Sequence, residues 1–221
     1  MCKKMTRYRK DISMEYCNIT FVMCSHLGDN IMIVGSLKAK IISMTFFSDS
    51  NIKDIYNGIK ANPIYNKADL VFLNSRLVFG YEHILGIMQI LNERKKRNII
   101  SEIKNREIEF LLRVCCTDQI SAALKANFGD SSNRSFVIIT ISDDDHLLQE
   151  IESEFARHGT IEYRSGTQVK IKDLITADTR KRDYIIEMFF REKIKDHNSP
   201  VLNSNSEFLK FLIERAAICL S

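Results

Sequence analysis

Apolar residues recur at two spacings along this chain, and the spacing divides it into short strands and longer helices. Runs of β-branched and aromatic residues indicate strands, whereas apolar positions that recur every three or four residues indicate helices. We predict strands at residues 18–24, 30–33, 41–47, 70–73 and 136–141. We predict helices at residues 51–60, 81–93, 106–115, 118–127, 147–157, 179–195 and 206–220. The pattern predicts a single mixed α/β (α+β) domain, with a central mixed sheet flanked by helices.

The order of these elements gives a first picture of the domain. The apolar run at residues 70–73 is bounded by polar residues, which is typical of a strand covered on both faces, and we expect it at the centre of the sheet. The β-branched runs at 18–24 and 30–33 flank a glycine-containing turn and are expected to form a hairpin. Residues 1–16 are polar and basic without periodicity, so we predict a disordered arm there and a domain over residues 17–221.

Two predicted helices carry apolar residues around more than half of their circumference. A surface helix typically needs an apolar stripe of roughly 100°, so part of such a helix is either buried on several sides or offered to a protein partner. The candidate interface residues are Ile84, Leu85, Ile87, Met88 and Leu91 in the helix at 81–93, and Phe208, Leu209, Leu212, Ile213 and Ala216 in the helix at 206–220.

The helices between them are amphipathic. In the helix at 106–115, Ile108, Leu111 and Leu112 form the predicted buried face, with Glu109 and Arg113 as an i,i+4 ion pair on the exposed face. The buried positions expected in the next helix are Ile120, Ala123 and Leu124.

Composition fits an ordinary folded protein. A chain of 221 residues can bury about 70% of the surface that it exposes when unfolded, so it needs neither metal nor disulfide for stability. Its longest apolar runs fall short of the roughly 20 residues that cross a bilayer, and no signal-peptide pattern follows the basic N-terminus. We expect a cytoplasmic protein, also nuclear if its source is eukaryotic, that does not associate with membranes.

No catalytic signature is present. Phosphate-binding loops, dinucleotide fingerprints and nucleophile elbows are absent, and the six cysteines form no C-x-x-C pair. The aspartates at 143–145 fit the start of a helix better than a cation site. His83 beside Glu82 is the only acid–base candidate, and a hydrogen-bonded structural histidine is the commoner case. Cys115 and Cys116 are interpreted as small buried hydrophobes, with a redox pair as the alternative. We predict no enzymatic activity, no metal and no cofactor.

Three segments together resemble a known family. They are LVFLNSRLVFGYEHILGIMQIL from residue 70, EIEFLLRVCCTDQISAALKANFG from residue 107, and FLIERAAI from residue 211. The pattern is similar to that of the small kinase-binding subunit of the KEOPS complex, also known as the TPRKB or PRPK-binding-protein family. The likeness covers residues 70–218 and is strongest over 70–129. The matching positions are Asn74, Glu82, His83, Glu109, Gln119, Ile120 and residues 214–216.

The resemblance implies a non-catalytic subunit with two kinds of partner. Members of the family bind a small atypical kinase/ATPase, which in turn contacts the transferase that places threonylcarbamoyl on adenosine 37 of tRNAs. They also bind the 3′ CCA end of tRNA. The apolar helix faces described above become the candidate kinase interface. The candidate tRNA-binding residues, drawn from the family and from their predicted places at strand and helix ends, are Asn74, His83, Arg113, Gln119 and Lys125.

Two positions depart from the family pattern. Cys116 stands where the family commonly has glycine, and Asp118 stands where many archaeal relatives have arginine. Because an anion replaces a cation, any phosphate contact made from that turn is weakened. We therefore expect weaker tRNA binding than in relatives with arginine there.

A stand-alone RNA-binding module is the alternative. One basic face could combine Arg76, Arg94, Lys95, Lys96, Arg97, Arg113 and Lys125. No aromatic residues interleave with these cations to stack bases. A net charge of +4 also provides only weak electrostatic attraction for nucleic acid. A kinase partner favours the first interpretation, and a ribonucleoprotein without one favours the second.

Overall fold

A single antiparallel sheet organises the protein. The computed structural model describes residues 31–99, 103–162, 171–191 and 204–220. The strands are β1 (Ile31–Val34), β2 (Leu37–Phe46), β3 (Asp69–Asn74), β4 (Ser135–Ile141) and β5 (Gly159–Ile161). Their order is β1-β2-β4-β3, and β5 pairs with the C-terminal part of β2. The predicted mixed α/β domain is confirmed, but the expected mixed sheet is wrong because every described pairing is antiparallel.

The described residues contain a hairpin that was not predicted, between β1 and β2. The predicted arm at 1–16 and strand at 18–24 lie outside the described residues. Within the described part, β1 pairs with β2 through a tight turn at Gly35, whose φ of 58° lies in the left-handed region that favours glycine. The predicted strand at 30–33 therefore exists and is followed directly by its partner.

The helices follow the predicted order. They are α1 (Ile52–Ala61), α2 (Tyr81–Lys96), α3 (Arg106–Val114), α4 (Ile120–Phe128), α5 (Asp145–Phe155), α6 (Ile171–Leu174), α7 (Thr179–Ile185) and α8 (Asn205–Ile218). A π-helical turn, Ile186–Phe190, continues α7. Asn51, Asn105, Asp144 and Ser204 each accept backbone N–H bonds at a helix start. The aspartates at 143–145 thus include a helix cap, as predicted.

The sheet separates two apolar cores. Successive side chains of a strand point to opposite faces, so in β4 Phe136 and Ile138 face one core whereas Val137 and Ile139 face the other. The first core contains side chains of α1 and α5, and the second contains side chains of α2, α3, α4, α7 and α8. Helices therefore cover both faces of the sheet, and the larger set of helices lies on one side.

Strand β3 lies at an edge of the sheet, so the expectation that it is central is wrong. Its outer side is closed by polar side chains from the helices. The backbone N–H of Leu70 donates to Glu107 Oε1 at 2.7 Å. Asn127 accepts from the N–H of Asn74 at 2.7 Å and donates to the carbonyl of Phe72 at 2.8 Å. These bonds satisfy groups that a further strand would otherwise bind, so β3 can be buried on both faces without being central.

Candidate functional site

The ten apolar side chains predicted to bind a partner lie mostly in the protein's own core. α2 and α8 pack together, and a Cβ added at Gly86 would lie 2.7 Å from Ile213 Cδ1, so the glycine permits this close approach. Seven of the ten are buried: Ile84, Ile87, Met88, Leu91, Phe208, Leu212 and Ala216. The prediction that their apolar surface exceeds the needs of the core is wrong for these seven. Leu85, Leu209 and Ile213 remain half-buried.

The surroundings of α2 explain its wide apolar arc. The helix contacts β1, α3 and α8, so protein covers it on several sides. A helix enclosed in this way is apolar around most of its circumference without any external partner.

Helix α8 differs because its apolar arc is only partly used. Phe208, Leu212 and Ala216 form a buried column, in which the Phe208 ring meets the Phe79 ring edge to face at a centroid distance of 4.8 Å. The adjacent column, Leu209, Ile213 and Ala217, repeats every four residues and is half-buried. We call these three residues the α8 stripe. Leu209 and Ile213 of the stripe, together with Leu85 of α2, are the predicted interface residues that solvent can reach.

Arg113 and Glu109 form a buried network rather than the predicted exposed pair. The Arg113 side chain is 0% exposed, and its Nε and Nη2 donate to Glu109 Oε1 at 3.1 and 2.8 Å. Its Nη1 donates to the carbonyl of Ala216 at 2.6 Å. Arg94 Nε lies 3.4 Å from the same Glu109 oxygen. The network joins α2, α3 and α8, so Arg113 is a structural residue and does not lie at the surface, where a tRNA contact was predicted.

Asn74 and His83 are also interior. Asn74 Oδ1 accepts the N–H of Arg76 at 3.0 Å and caps the short 3-10 turn after β3. His83 Nδ1 accepts the N–H of Phe79 at 3.3 Å. Burial lowers the pKa of His83 to about 4, which keeps its imidazole neutral. Since both side chains are buried, the prediction that they contact tRNA from the surface is wrong.

The depressed pKa of His83 makes folding stability depend on pH. The pKa of His83 is 6.5 in the unfolded chain and about 4 in the native state, so between these pH values only the unfolded chain binds the proton. The contribution of His83 to stability is therefore full above pH 6.5 and decreases as the pH falls toward 4. Between pH 7 and pH 5 this group should lower the free energy of unfolding by about 2 kcal/mol. Urea unfolding of the wild type and of His83→Gln at both pH values measures the effect. A decrease of equal size in the variant would show that His83 is not its source.

Gln119 and Lys125 are the two predicted tRNA-binding residues at the surface. Gln119 precedes α4, Lys125 lies within it, and both side chains are exposed. On the same helix Ile120 is 46% and Leu124 38% exposed, so the expectation that they are buried is wrong. Ala123 alone of the three predicted positions faces the core. α4 is short and lies at the rim of the core, and its solvent face is partly apolar.

The turn between α3 and α4 contains Cys116, one of the two positions that depart from the family pattern. Cys116 has a φ of 51°, a left-handed conformation in which glycine is unstrained and other residues are uncommon. Burial raises the pKa of the neighbouring Cys115 thiol well above its usual value, which disfavours the reactive thiolate. The structure thus supports the interpretation of this pair as small buried residues rather than a redox site.

The cations considered for an RNA-binding face do not all reach one surface. Arg113 is interior, and Arg76 Nη1 donates to Asp130 Oδ2 at 2.8 Å. Lys96 Nζ lies 2.9 Å from Glu93, which Arg97 also approaches. These ion pairs reduce the positive potential that the alternative interpretation needs.

Comparison of the chain with protein-family models and with curated proteins finds no match. Among the described residues, no group of three or more histidine, cysteine or acidic side chains is arranged to hold a metal ion. None of the helices in the described part of the chain combines the length and apolar character needed to cross a membrane.

Proposed function

We propose that this protein is a non-catalytic subunit of a KEOPS-type tRNA-modification complex. In this role it binds a small atypical kinase/ATPase in the cytoplasm and supports the threonylcarbamoylation of adenosine 37 in tRNA. The proposal rests on the resemblance of residues 70–218 to the small kinase-binding subunit. The α8 stripe is the structural observation that supports a partner most directly.

The α8 stripe has the character of a helix face that docks against another protein. Leu209, Ile213 and Ala217 succeed one another at four-residue intervals, and Ile218 at the end of the helix is 50% exposed. An amphipathic helix presents such i, i+4 anchors to an apolar groove. Leu85 of α2 is half-buried as well, and Gly86 beside it brings Ile213 close. We propose that Leu85, Leu209 and Ile213 belong to the kinase-binding surface.

The positions that match the family pattern include several that stabilise the fold. Asn74 caps the turn after β3, His83 binds the turn before α2, and Glu109 connects α2 to α3. Buried polar groups that are hydrogen-bonded in this way hold one arrangement of helices. We infer that the resemblance reflects a shared scaffold, and we assign partner binding to the exposed side chains around it.

Fewer residues support the tRNA part of the proposal than the sequence predicted. It now depends on Gln119 and Lys125, which are exposed, while Asp118 beside them is exposed and anionic. One cation and one amide support only weak, salt-sensitive contact with the 3′ end of tRNA. We therefore give kinase binding the larger part in this function.

Affinity purification of the tagged protein from native cells tests the proposal. We expect a small atypical kinase to co-purify in stoichiometric amount, because the α8 stripe offers a partner-binding face. Ribonuclease treatment should leave this complex intact, since apolar contacts rather than RNA hold it together. Recovery of RNA without any kinase would contradict the proposal and favour the RNA-binding module.

A further inference from the structure

A cleft of about 270 Å³ opens between the C-terminal half of α2 and residues 103–106 at the start of α3. Cationic and apolar side chains line it together, and the proposed function uses none of them. Four cations contribute: Arg94, Lys95, Lys104 and Arg106. The described lining also contains the carboxylate of Glu109. We call this site the basic cleft.

Among the described lining residues of the basic cleft, positive charges outnumber negative ones. Arg94 Nε lies 3.4 Å from Glu109 Oε1, and this oxygen already accepts two bonds from Arg113. Arg106 Nη1 donates to Asp69 Oδ2 at 2.5 Å. In contrast, Lys95 and Lys104 are exposed, and neither forms an ion pair with another residue in the described part of the chain. The cleft therefore presents two ammonium groups to a ligand.

The remaining lining of the basic cleft is aliphatic. Leu37 and Leu91 are buried, whereas Ile99 is 46% exposed and Ile103 is half-buried. An inorganic anion gains nothing from such side chains, but a ligand with an apolar part removes them from water. The described lining residues include no aromatic ring, so the apolar part of a ligand is held there by aliphatic contact instead of stacking.

We propose that the basic cleft binds a small organic phosphate. Its phosphate group pairs with Lys95 and Lys104, and its apolar body lies against Ile99 and Ile103. Lysine ammonium groups bind phosphate as point charges, and ligand sites typically combine an apolar lining with a few charged groups. The volume lies just below the roughly 300 Å³ at which sites for drug-sized ligands begin, so the ligand is small. The phosphate belongs either to a free metabolite or to the terminal nucleotide of an RNA.

Isothermal titration of the full chain with phenyl phosphate tests the proposal. We expect saturable 1:1 binding to phenyl phosphate, at least roughly tenfold weaker binding to inorganic phosphate, and none to benzyl alcohol, because the cleft offers both charge and apolar contact. Competition with adenosine 5′-monophosphate and with a short single-stranded RNA distinguishes the two sources. Stronger competition by the mononucleotide assigns the site to a free ligand, and stronger competition by the RNA assigns it to an RNA end.

Matched lysine variants separate the cleft from general charge attraction. Lys95→Ala and Lys104→Ala should each weaken binding roughly tenfold, since each removes a charge-assisted contact. The control is Lys96→Ala, which removes one positive charge. Lys96 is next to Lys95 in the sequence, but its side chain pairs with Glu93 and is not among the described lining residues. It should change affinity less than about twofold. Equal weakening by all three variants, or no saturable binding to any of the phosphates, would overturn the proposal.

Discussion

Replacing Arg113 by alanine is expected to lower the free energy of unfolding by about 4 kcal/mol. The guanidinium is fully buried, bonds twice to Glu109 and donates to the carbonyl of Ala216. Its removal leaves the Glu109 carboxylate with only the more distant Arg94 and leaves a backbone carbonyl of α8 without this donor. Removing one partner of a buried charged pair is much more destabilising than removing an exposed one. Chemical denaturation monitored by circular dichroism measures the change.

The chain provides its own control for this experiment. Arg191 forms an i,i+4 pair with Glu187 at 2.9 Å, but its side chain is 76% exposed. Arg191→Ala should therefore change stability by less than about 0.5 kcal/mol. If both variants lost the same small amount, Arg113 would not be the buried connection between α3 and α8 that we describe.

Changing Leu209 to aspartate should weaken kinase binding roughly 100-fold while the protein stays folded. Leu209 lies in the α8 stripe and is half-buried, so the new carboxylate can reach water in the free protein. In a complex the carboxylate would be desolvated at an apolar contact, and binding would be lost there. Met88 is unsuitable for this test because it is fully buried, and a charge at that position would disrupt the core.

A matched substitution on the opposite face of the sheet controls for surface charge. Ile64 is 52% exposed and adjoins Tyr65, which belongs to the core on the α1 and α5 side. Ile64→Asp should leave the affinity for the kinase unchanged. Biolayer interferometry of both folded variants against the purified kinase gives the comparison. Wild-type affinity for Leu209→Asp would place the interface elsewhere than on the α8 stripe.

Local sequence patterns predicted the positions of helices and strands better than they predicted which of these elements lie next to each other. β4 and the start of α2 were predicted almost to the residue, because apolar periodicity and flanking polar residues are properties of the local sequence. The edge position of β3 was not predicted. Glu107 and Asn127 close that edge from 37 and 53 residues away, and nothing in the local pattern of either residue reveals the distant partner.

The same limit explains the errors at the candidate site. Arg113 and Glu109 have the i,i+4 spacing of a surface pair, and sequence alone does not show that α8 covers them. The apolar pattern of α2 alone does not show how many neighbouring elements cover the helix, so its wide arc fits burial on several sides as well as a partner. Leu209 and Ile213 of the α8 stripe retain partial exposure, and their binding to a kinase stays a prediction. The sequence does not predict the basic cleft, because its lining residues come from β2, α2 and the start of α3, which only the fold brings together.

Threonylcarbamoyladenosine in cellular tRNA is the most direct test of the proposed role in tRNA modification. The modified nucleoside is quantified by mass spectrometry in cells depleted of this protein and supplied with the wild type, Ile64→Asp or Leu209→Asp. We predict a severalfold loss on depletion, recovery with the wild type and with Ile64→Asp, and no recovery with Leu209→Asp. An unchanged level of the nucleoside in depleted cells would contradict a role in this modification.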